Sequence, residues 1–148
     1  MKAQDFKGQK FFSTNEKWGD ISKVEWYHFN HLVLIRKEMK VPFVINCSYE
    51  LKGHSSSSDH GAKTGRSCAT DGYFKTNMTL ENQWYNIEAI IKKFKLENFI
   101  RIGVYPEWNK PGFHIASSGN NLRWVKIGSK YFYGVDKIIR YFKDREKK

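Results

Sequence analysis

The sequence lacks any apolar run of about 18 residues, the minimum length of a membrane-spanning helix. Its first residues also lack the apolar segment of a secretory signal. We therefore expect a chain that is synthesised in the cytoplasm without a signal peptide and that has no transmembrane segment. If the protein acts outside a cell, another component must carry it there.

Cysteine is scarce, with Cys47 and Cys68 the only two in the chain. This number predicts no disulfide framework. Both cysteines follow or lie within short apolar stretches, where cysteine usually behaves as a small buried hydrophobic residue. A disulfide between them and a thiolate ligand to a metal remain less favoured alternatives.

Acidic residues are also few, because 15 Asp and Glu stand against 26 Lys and Arg, a net charge of +11. Such a surface favours polyanions, including nucleic acid, teichoic acid and anionic lipid, and charge alone does not choose among them. Much of the excess lies in the last quarter of the chain, at Lys126, Lys130, Lys137, Arg140, Lys143, Arg145, Lys147 and Lys148. The pattern fits a solvated helix face or a polyanion-binding face.

No low-complexity tract or internal repeat is present, and 40% of the residues are hydrophobic and 16% aromatic. This composition is typical of a folded globular protein and excludes a disordered chain. A length of 148 residues suits one domain over residues 1–148 with a substantial core.

Apolar spacing and turn residues predict helices and strands that are intermingled without a strict alternation. Ser22 and Asn82 are the predicted N-caps of the first two helices. The predicted helices are Ser22–Met39, a segment from Asn82 to about Phe94, and Val135–Asp144; the predicted strands are Val41–Cys47, Ser67–Phe74, Ile100–Tyr105, Phe113–Ala116, Arg123–Ile127 and Tyr131–Tyr133. The mixture indicates a small α+β domain, with an antiparallel sheet flanked by helices.

The five histidines differ in context. His28 and His31 lie one turn apart on the first predicted helix, where packing is favoured over a shared metal. His54 and His60 lie in a long polar loop between Glu50 and Arg66, a length and composition that often carry function.

Several motifs occur in an order that resembles a known peptidase family. The motifs are Val41–Tyr49, Ser58-Asp59-His60, Ala69-Thr70-Asp71, Gly103-Val104-Tyr105-Pro106, Gly112-Phe113-His114 and Arg123-Trp124. Together they resemble the zinc D-Ala-D-Ala carboxypeptidase and L-alanyl-D-glutamate endopeptidase family, especially its small phage-type members, from about Lys10 to Trp124. Each motif alone is common, so the order carries the resemblance. It implies the hedgehog/D-Ala-D-Ala peptidase fold, a small α+β domain with a metal on an antiparallel sheet.

The resemblance implies that His60, Asp71 and His114 are ligands of a zinc ion. Two imidazoles and one carboxylate leave a tetrahedral zinc one open position for water. The segment between His60 and Asp71 is about four residues longer than is usual in the family, so His54 competes with His60 as the first ligand.

The expected catalytic residues depart from the family pattern. An acid commonly stands three residues before the last histidine, where this chain has Pro111, so we expect Glu107 to be the general base, with Asp59 as the alternative. The arginine expected to stabilise the oxyanion is replaced by Glu50. Arg66 or Lys52 would then have to supply that charge.

The function implied is zinc-dependent hydrolysis of the peptide stem of bacterial peptidoglycan, by a phage lysin or virion-associated peptidase. The basic surface would hold the enzyme near anionic cell-wall polymers. One alternative is a non-catalytic metal-binding or structural virion module on the same fold. Another is a nucleic-acid binder, in which tryptophans stack bases; the tryptophans are Trp18, Trp26, Trp84, Trp108 and Trp124. The sequence has no nucleic-acid motif, and we expect no specific nucleic acid.

Overall fold

The computed structural model describes residues 1–55 and 57–146, and for Ala3 the backbone alone. Its helices are α1 (Trp26–Met39), α2 (Leu80–Lys93) and α3 (Val135–Glu146), and its strands are β1 (Phe43–Cys47), β2 (Ala69–Phe74), β3 (Arg101–Tyr105), β4 (Gly112–Ala116), β5 (Arg123–Ile127) and β6 (Lys130–Tyr133). Two short 3-10 helices, Ala3–Phe6 and Ile21–Lys23, precede α1. The predicted α+β class is confirmed, and Lys147 lies with Lys148 outside the described residues.

The six strands form one sheet in the order β1-β2-β4-β3-β5-β6. The sheet is mixed, which corrects the expected antiparallel arrangement: β3 and β5 pair in parallel and all other neighbours are antiparallel. The parallel pair arises because the chain passes from β4 back across β3 before β5 begins.

One face of the sheet carries the hydrophobic core. Ile102, Val104, Phe113, Ile115 and Val125 are fully buried at alternating positions on β3, β4 and β5, as expected where alternate side chains point to the same face. The helices cover them with Phe29, Leu32 and Ile35 from α1, Ile87 and Ile91 from α2, and Ile138 and Phe142 from α3. The intervening positions of the strands therefore point away from the helices.

An ion pair fastens α2 to the sheet. The Arg123 guanidinium on β5 is buried and donates to both oxygens of Glu88, at 2.6 and 3.2 Å. It also donates to the Ile100 carbonyl. This arrangement gives Arg123 a structural role on the core side of the sheet.

Two predicted helix caps are wrong. Ser22 lies in a 3-10 helix that Asp20 caps, and α1 begins only at Trp26. Asn82 lies inside the first turn of α2, where its backbone N–H donates to the true N-cap, Thr79, at 3.1 Å. Asp20 and Thr79 accept hydrogen bonds from first-turn amides as N-caps do. Each lies within three residues of the predicted cap and has a similar short polar side chain, so residue type alone did not distinguish them.

Within the described residues, no helix has the length and apolar character needed to cross a membrane.

Candidate metal centre

A single row of residues crosses the entire sheet on the face opposite the helices. Register pairs Cys47 with Asp71, Asp71 with His114, His114 with Gly103, Gly103 with Trp124 and Trp124 with Tyr133. Directly paired residues point to the same face of a sheet. Every strand thus contributes one residue to this row, and two of the predicted ligands, Asp71 and His114, are neighbours in it.

The third predicted ligand reaches the row from the loop. His60 Nε2 lies 3.3 Å from Asp71 Oδ1 and 3.2 Å from His114 Nδ1. Asp71 Oδ1 lies 2.8 Å from His114 Nδ1. The three side chains are 2%, 16% and 12% exposed for His60, Asp71 and His114 respectively. Residues from three separate segments thus form one compact, largely shielded cluster.

The spacing of these three donors fits a zinc ion. Ligand atoms about 2.0–2.1 Å from a tetrahedral zinc lie about 3.3 Å from one another. The observed separations of 2.8, 3.2 and 3.3 Å are close to that value. Two imidazole nitrogens and a carboxylate oxygen are also a usual donor set for zinc. The cluster is therefore a possible metal-binding site.

A backbone contact fixes which nitrogen His60 presents. His60 Nδ1 lies 2.7 Å from the Ser48 carbonyl oxygen, which can only accept a hydrogen bond, so Nδ1 carries the proton. Nε2 is then the unprotonated atom and faces Asp71. Such a contact to the outer nitrogen is typical of metal-binding histidines, because it sets the tautomer and the ring orientation.

The charges in the cluster reinforce one another. Burial raises the pKa of the Asp71 carboxyl, but the contacts of its Oδ1 with the His114 and His60 rings outweigh burial and hold the pKa well below its usual range. Burial lowers the pKa of His60, yet the contact with Asp71 raises it above the ordinary value on balance. The carboxylate is therefore ionised at neutral pH, as a metal ligand must be.

Three further side chains border the cluster on the side of β1 and the loop. The Cys47 sulfur lies 3.6 Å from Asp71 Oδ2, and the His54 ring centroid lies 4.3 Å from that of His60. Glu50 Oε2 lies 3.5 Å from His54 Nε2, and the Glu50 amide donates to the His60 carbonyl at 2.9 Å. Burial, together with the negative charges of Asp71 and Glu50, raises the pKa of the Cys47 thiol well above its usual range.

The choice between the loop histidines follows from these contacts. Cys47, His54 and His60 form a second group with potential ligand atoms close together, but it lacks Asp71 and His114. In that group the His60 nitrogen closest to Cys47, at 3.9 Å, is Nδ1, which the Ser48 carbonyl already engages. The structure accordingly favours His60, and it places His54 beside the cluster.

The structure gives the predicted catalytic residues other contacts. Glu107 accepts a hydrogen bond from the Gly128 amide at 2.6 Å and lines a cavity against α3. Asp59 pairs with Arg101 at 3.1 Å, and Arg66 pairs with Glu25 at 2.6 Å.

None of these three expected residues is therefore brought to the His60, Asp71 and His114 cluster in the described structure. Lys52, the alternative to Arg66, is exposed on the loop. An acid that does lie beside the cluster is Glu50. The sequence pattern drew attention to this residue only because it replaces the expected arginine.

The two helix histidines differ in burial, because His28 lies inside the protein, deeper than the expected surface or half-buried packing, and His31 is half-buried. His28 is fully buried, with Nδ1 2.8 Å from Ser117 Oγ and Nε2 2.9 Å from Thr70 Oγ1. His31 Nδ1 lies 2.8 Å from the same Ser117 hydroxyl. His28 thus contacts hydroxyl groups of β2 and of the segment after β4, and His31 contacts only the latter. Both histidines lie outside the metal-ligand groups of the described residues.

A tryptophan extends the site beyond the metal ligands. The Trp124 ring centroid lies 5.3 Å from that of His114, and its Nε1 donates to the Tyr105 hydroxyl at 3.2 Å. Gly103 lies between His114 and Trp124 in the row, and a Cβ at this position would come within 2.4 Å of Trp124 Cε2. Glycine at 103 therefore leaves the space in which the indole lies against His114.

The tryptophans are mostly part of the core. Trp18, Trp84 and Trp124 are 0%, 2% and 7% exposed, while Trp26 is 58% exposed. Trp108 is half-buried and stacks on Tyr105 at 4.3 Å. The three buried rings cannot stack bases where they lie, which disfavours the nucleic-acid alternative at these positions.

Comparison of the chain with protein-family models, curated proteins and solved structures gives no match.

Proposed function

We propose that the protein is a zinc-dependent peptidase that hydrolyses the peptide stem of bacterial peptidoglycan. The observation that carries the proposal is the convergence of His60, Asp71 and His114 to within 3.3 Å of one another. A three-residue site of this composition leaves zinc an open position, as catalytic zinc sites do. The motif order supplies the substrate class, because it resembles peptidases that act on this stem.

The metal and the side chains would divide the chemistry. Zinc, when bound, supplies a Lewis acid that polarises the peptide carbonyl and lowers the pKa of water. Asp71 and the two histidines hold it, and the Ser48 carbonyl keeps the His60 Nε2 lone pair directed into the site. Trp124 packs beside His114 on the β5 side of the site.

Glu50 is the side chain we assign as proton acceptor for the attacking water. Its carboxylate lies 3.5 Å from His54 Nε2, the His54 ring centroid lies 4.3 Å from that of the candidate ligand His60, and the Glu50 side chain is 45% exposed. A general base must reach the substrate side of the site, and partial exposure next to the ligands meets that condition. No Lys or Arg among the described residues pairs with the cluster, so the proposal assigns no cationic side chain to the oxyanion.

The setting proposed is a phage lysin or virion-associated enzyme acting at the cell wall. The net charge of +11 would keep such an enzyme near anionic wall polymers.

The direct experiment measures zinc content and release of peptides from purified peptidoglycan. We expect about one zinc per chain and hydrolysis in the native protein, and loss of both in Asp71→Asn and His114→Ala. Tyr85→Thr, on the far helix α2, is the matched control and should retain both. Native protein that binds zinc yet releases no peptide would contradict the peptidase, and native protein without zinc would contradict the site.

A second candidate is a closed structural zinc site in a non-catalytic virion module. The observation that favours it is the Cys47 sulfur, 3.6 Å from Asp71 Oδ2 in the same row. A sulfur in the fourth position would occupy the place that water needs, because structural zinc sites are four-coordinate.

Cys47→Ser separates the two candidates. For the peptidase we expect this variant to keep both zinc and hydrolysis. For the structural module it would release zinc and lower the unfolding temperature, and no hydrolysis would be present in either protein.

A further inference from the structure

Two exposed tyrosines continue the metal row at the edge of the sheet. Tyr133 pairs with Trp124, and Tyr131 pairs with Lys126, so both tyrosines point to the same face as His114. We refer to Tyr131 and Tyr133 as the aromatic platform. The two tyrosines are 46% and 55% exposed, and their rings are 6.3 Å apart with planes inclined by only 19°.

Trp124 lies between the platform and the candidate metal centre. The ring of Trp124 lies 5.3 Å from His114 on one side and 6.3 Å from Tyr133 on the other. From His114 on β4 to Tyr133 on β6 there are three strand-to-strand steps, or about 14 Å at about 4.8 Å per step. A ligand that lies on the two tyrosines is therefore about 14 Å from the candidate metal ligands.

We propose that the aromatic platform binds a sugar ring of the glycan to which the substrate peptide is attached, an inference that rests on the proposed function. A pyranose has a flat face of C–H bonds and a rim of hydroxyls, which matches an aromatic ring with a phenolic hydroxyl at its edge. The near-parallel tyrosines offer two such rings. The Lys126 ammonium, 5.3 Å from the Tyr131 ring centre, complements the carboxylates of an acidic stem peptide.

The separation of platform and metal ligands predicts which bond is cleaved. An extended peptide covers about 3.5 Å per residue, so about 14 Å corresponds to about four residues. With the sugar on Tyr133, the peptide bond beside His114 is about four residues from the glycan. The geometry thus favours a bond toward the far end of the stem over the bond closest to the sugar.

Binding of N-acetylchitotetraose, a soluble glycan without peptide, tests the proposal. We would titrate it by calorimetry into the native protein, the Tyr131→Thr/Tyr133→Thr double variant and Tyr85→Thr. Threonine retains strand propensity while removing the rings, and Tyr85 is an equally exposed tyrosine on α2. We expect the double variant to bind at least about tenfold more weakly and Tyr85→Thr to bind like the native protein. Circular dichroism establishes that both variants fold.

Absence of saccharide binding, or equal loss in Tyr85→Thr, would overturn the proposal. So would preferential binding of a single-stranded oligonucleotide that weakens steeply between about 50 and 500 mM salt, because stacked bases on a basic surface have that signature. Titration of Asp71→Asn separates this inference from the proposed function. Saccharide binding there, without hydrolysis by the native protein, would sink the peptidase alone; hydrolysis of free stem peptide without saccharide binding would sink the platform alone.

Discussion

At the scale of the residue, the site depends on how each side chain is supplied. Asp71 and His114 are neighbours in strand register, so the sheet itself holds them together. His60 comes from a loop, and the Ser48 carbonyl at 2.7 Å restrains its ring. Strand-borne ligands are held more firmly than loop-borne ones, and the hydrogen bond compensates for the difference.

The two loop histidines should respond differently to substitution. We expect His60→Ala to lose stoichiometric zinc, because it removes one of three donors. His54→Ala should retain about one zinc per chain, because His54 contacts the ring of His60 and not the Asp71 and His114 donors. Metal analysis after gel filtration measures both. Zinc retained in His60→Ala and lost in His54→Ala would reverse the assignment.

Glu50 should matter for turnover and not for metal content. Glu50→Gln removes the proton acceptor with little change in shape, so we expect hydrolysis to slow by about a hundredfold or more at unchanged zinc content. Glu107→Gln is the control, since Glu107 contacts Gly128 near α3. Peptide release measured by chromatography distinguishes them. A large loss in Glu107→Gln with none in Glu50→Gln would restore the residue first expected from the sequence.

At the scale of the element, each strand contributes one residue to the row that crosses the sheet. The local sequence of the strands predicts only part of this row. Strand positions and alternation could be read from β-branched residues and turns, and the motif order supplied His60, Asp71 and His114. The parallel pairing of β3 with β5 could not be read, because it joins segments separated by β4. Glu50 was missed for a different reason: its place beside His60 arises from the path of the loop, in which the Glu50 amide donates to the His60 carbonyl.

The packing of Trp124 over β3 provides a test at this scale. Gly103→Ala places a Cβ within 2.4 Å of the indole, and we expect it to destabilise the protein by about 1–3 kcal/mol. In a Trp124→Leu background the same substitution should cost less, because the indole is gone. Urea unfolding of the four proteins of this cycle measures the coupling. Equal costs in both backgrounds would show that Gly103 and Trp124 act independently.

At the scale of the whole molecule, one mixed sheet separates a helix-covered core from a face that carries the candidate metal ligands Asp71 and His114 and the exposed Tyr131 and Tyr133. The sequence predicted the α+β class, since three helices and six strands alternate irregularly. It did not predict the two-sided division of function, because that division depends on which strands pair. The fully buried His28 connects the two sides, through its hydrogen bond to Thr70, which immediately precedes Asp71.

Global stability should depend on pH through His28. Burial, with repulsion from His31, His114 and His60, holds the pKa of His28 well below its ordinary value. Below about pH 6.5 the unfolded chain takes up a proton at this residue and the folded protein does not, so acidification favours unfolding.

The contribution of His28 is up to about 1.4 kcal/mol per pH unit below that point. In the presence of a metal chelator, the free energy of unfolding of His28→Gln should therefore decline less between pH 7 and pH 5 than that of the native protein. Equal pH dependence of the two proteins would contradict this role.

The central claim is that His60, Asp71 and His114 bind zinc and leave one position open. X-ray absorption spectroscopy of the zinc-loaded protein tests it most directly. We expect one zinc per chain, coordinated only by nitrogen and oxygen atoms at about 2.0–2.1 Å, with two of the nitrogens belonging to imidazole rings. A sulfur neighbour at about 2.3 Å would place Cys47 in the fourth position and contradict the open site.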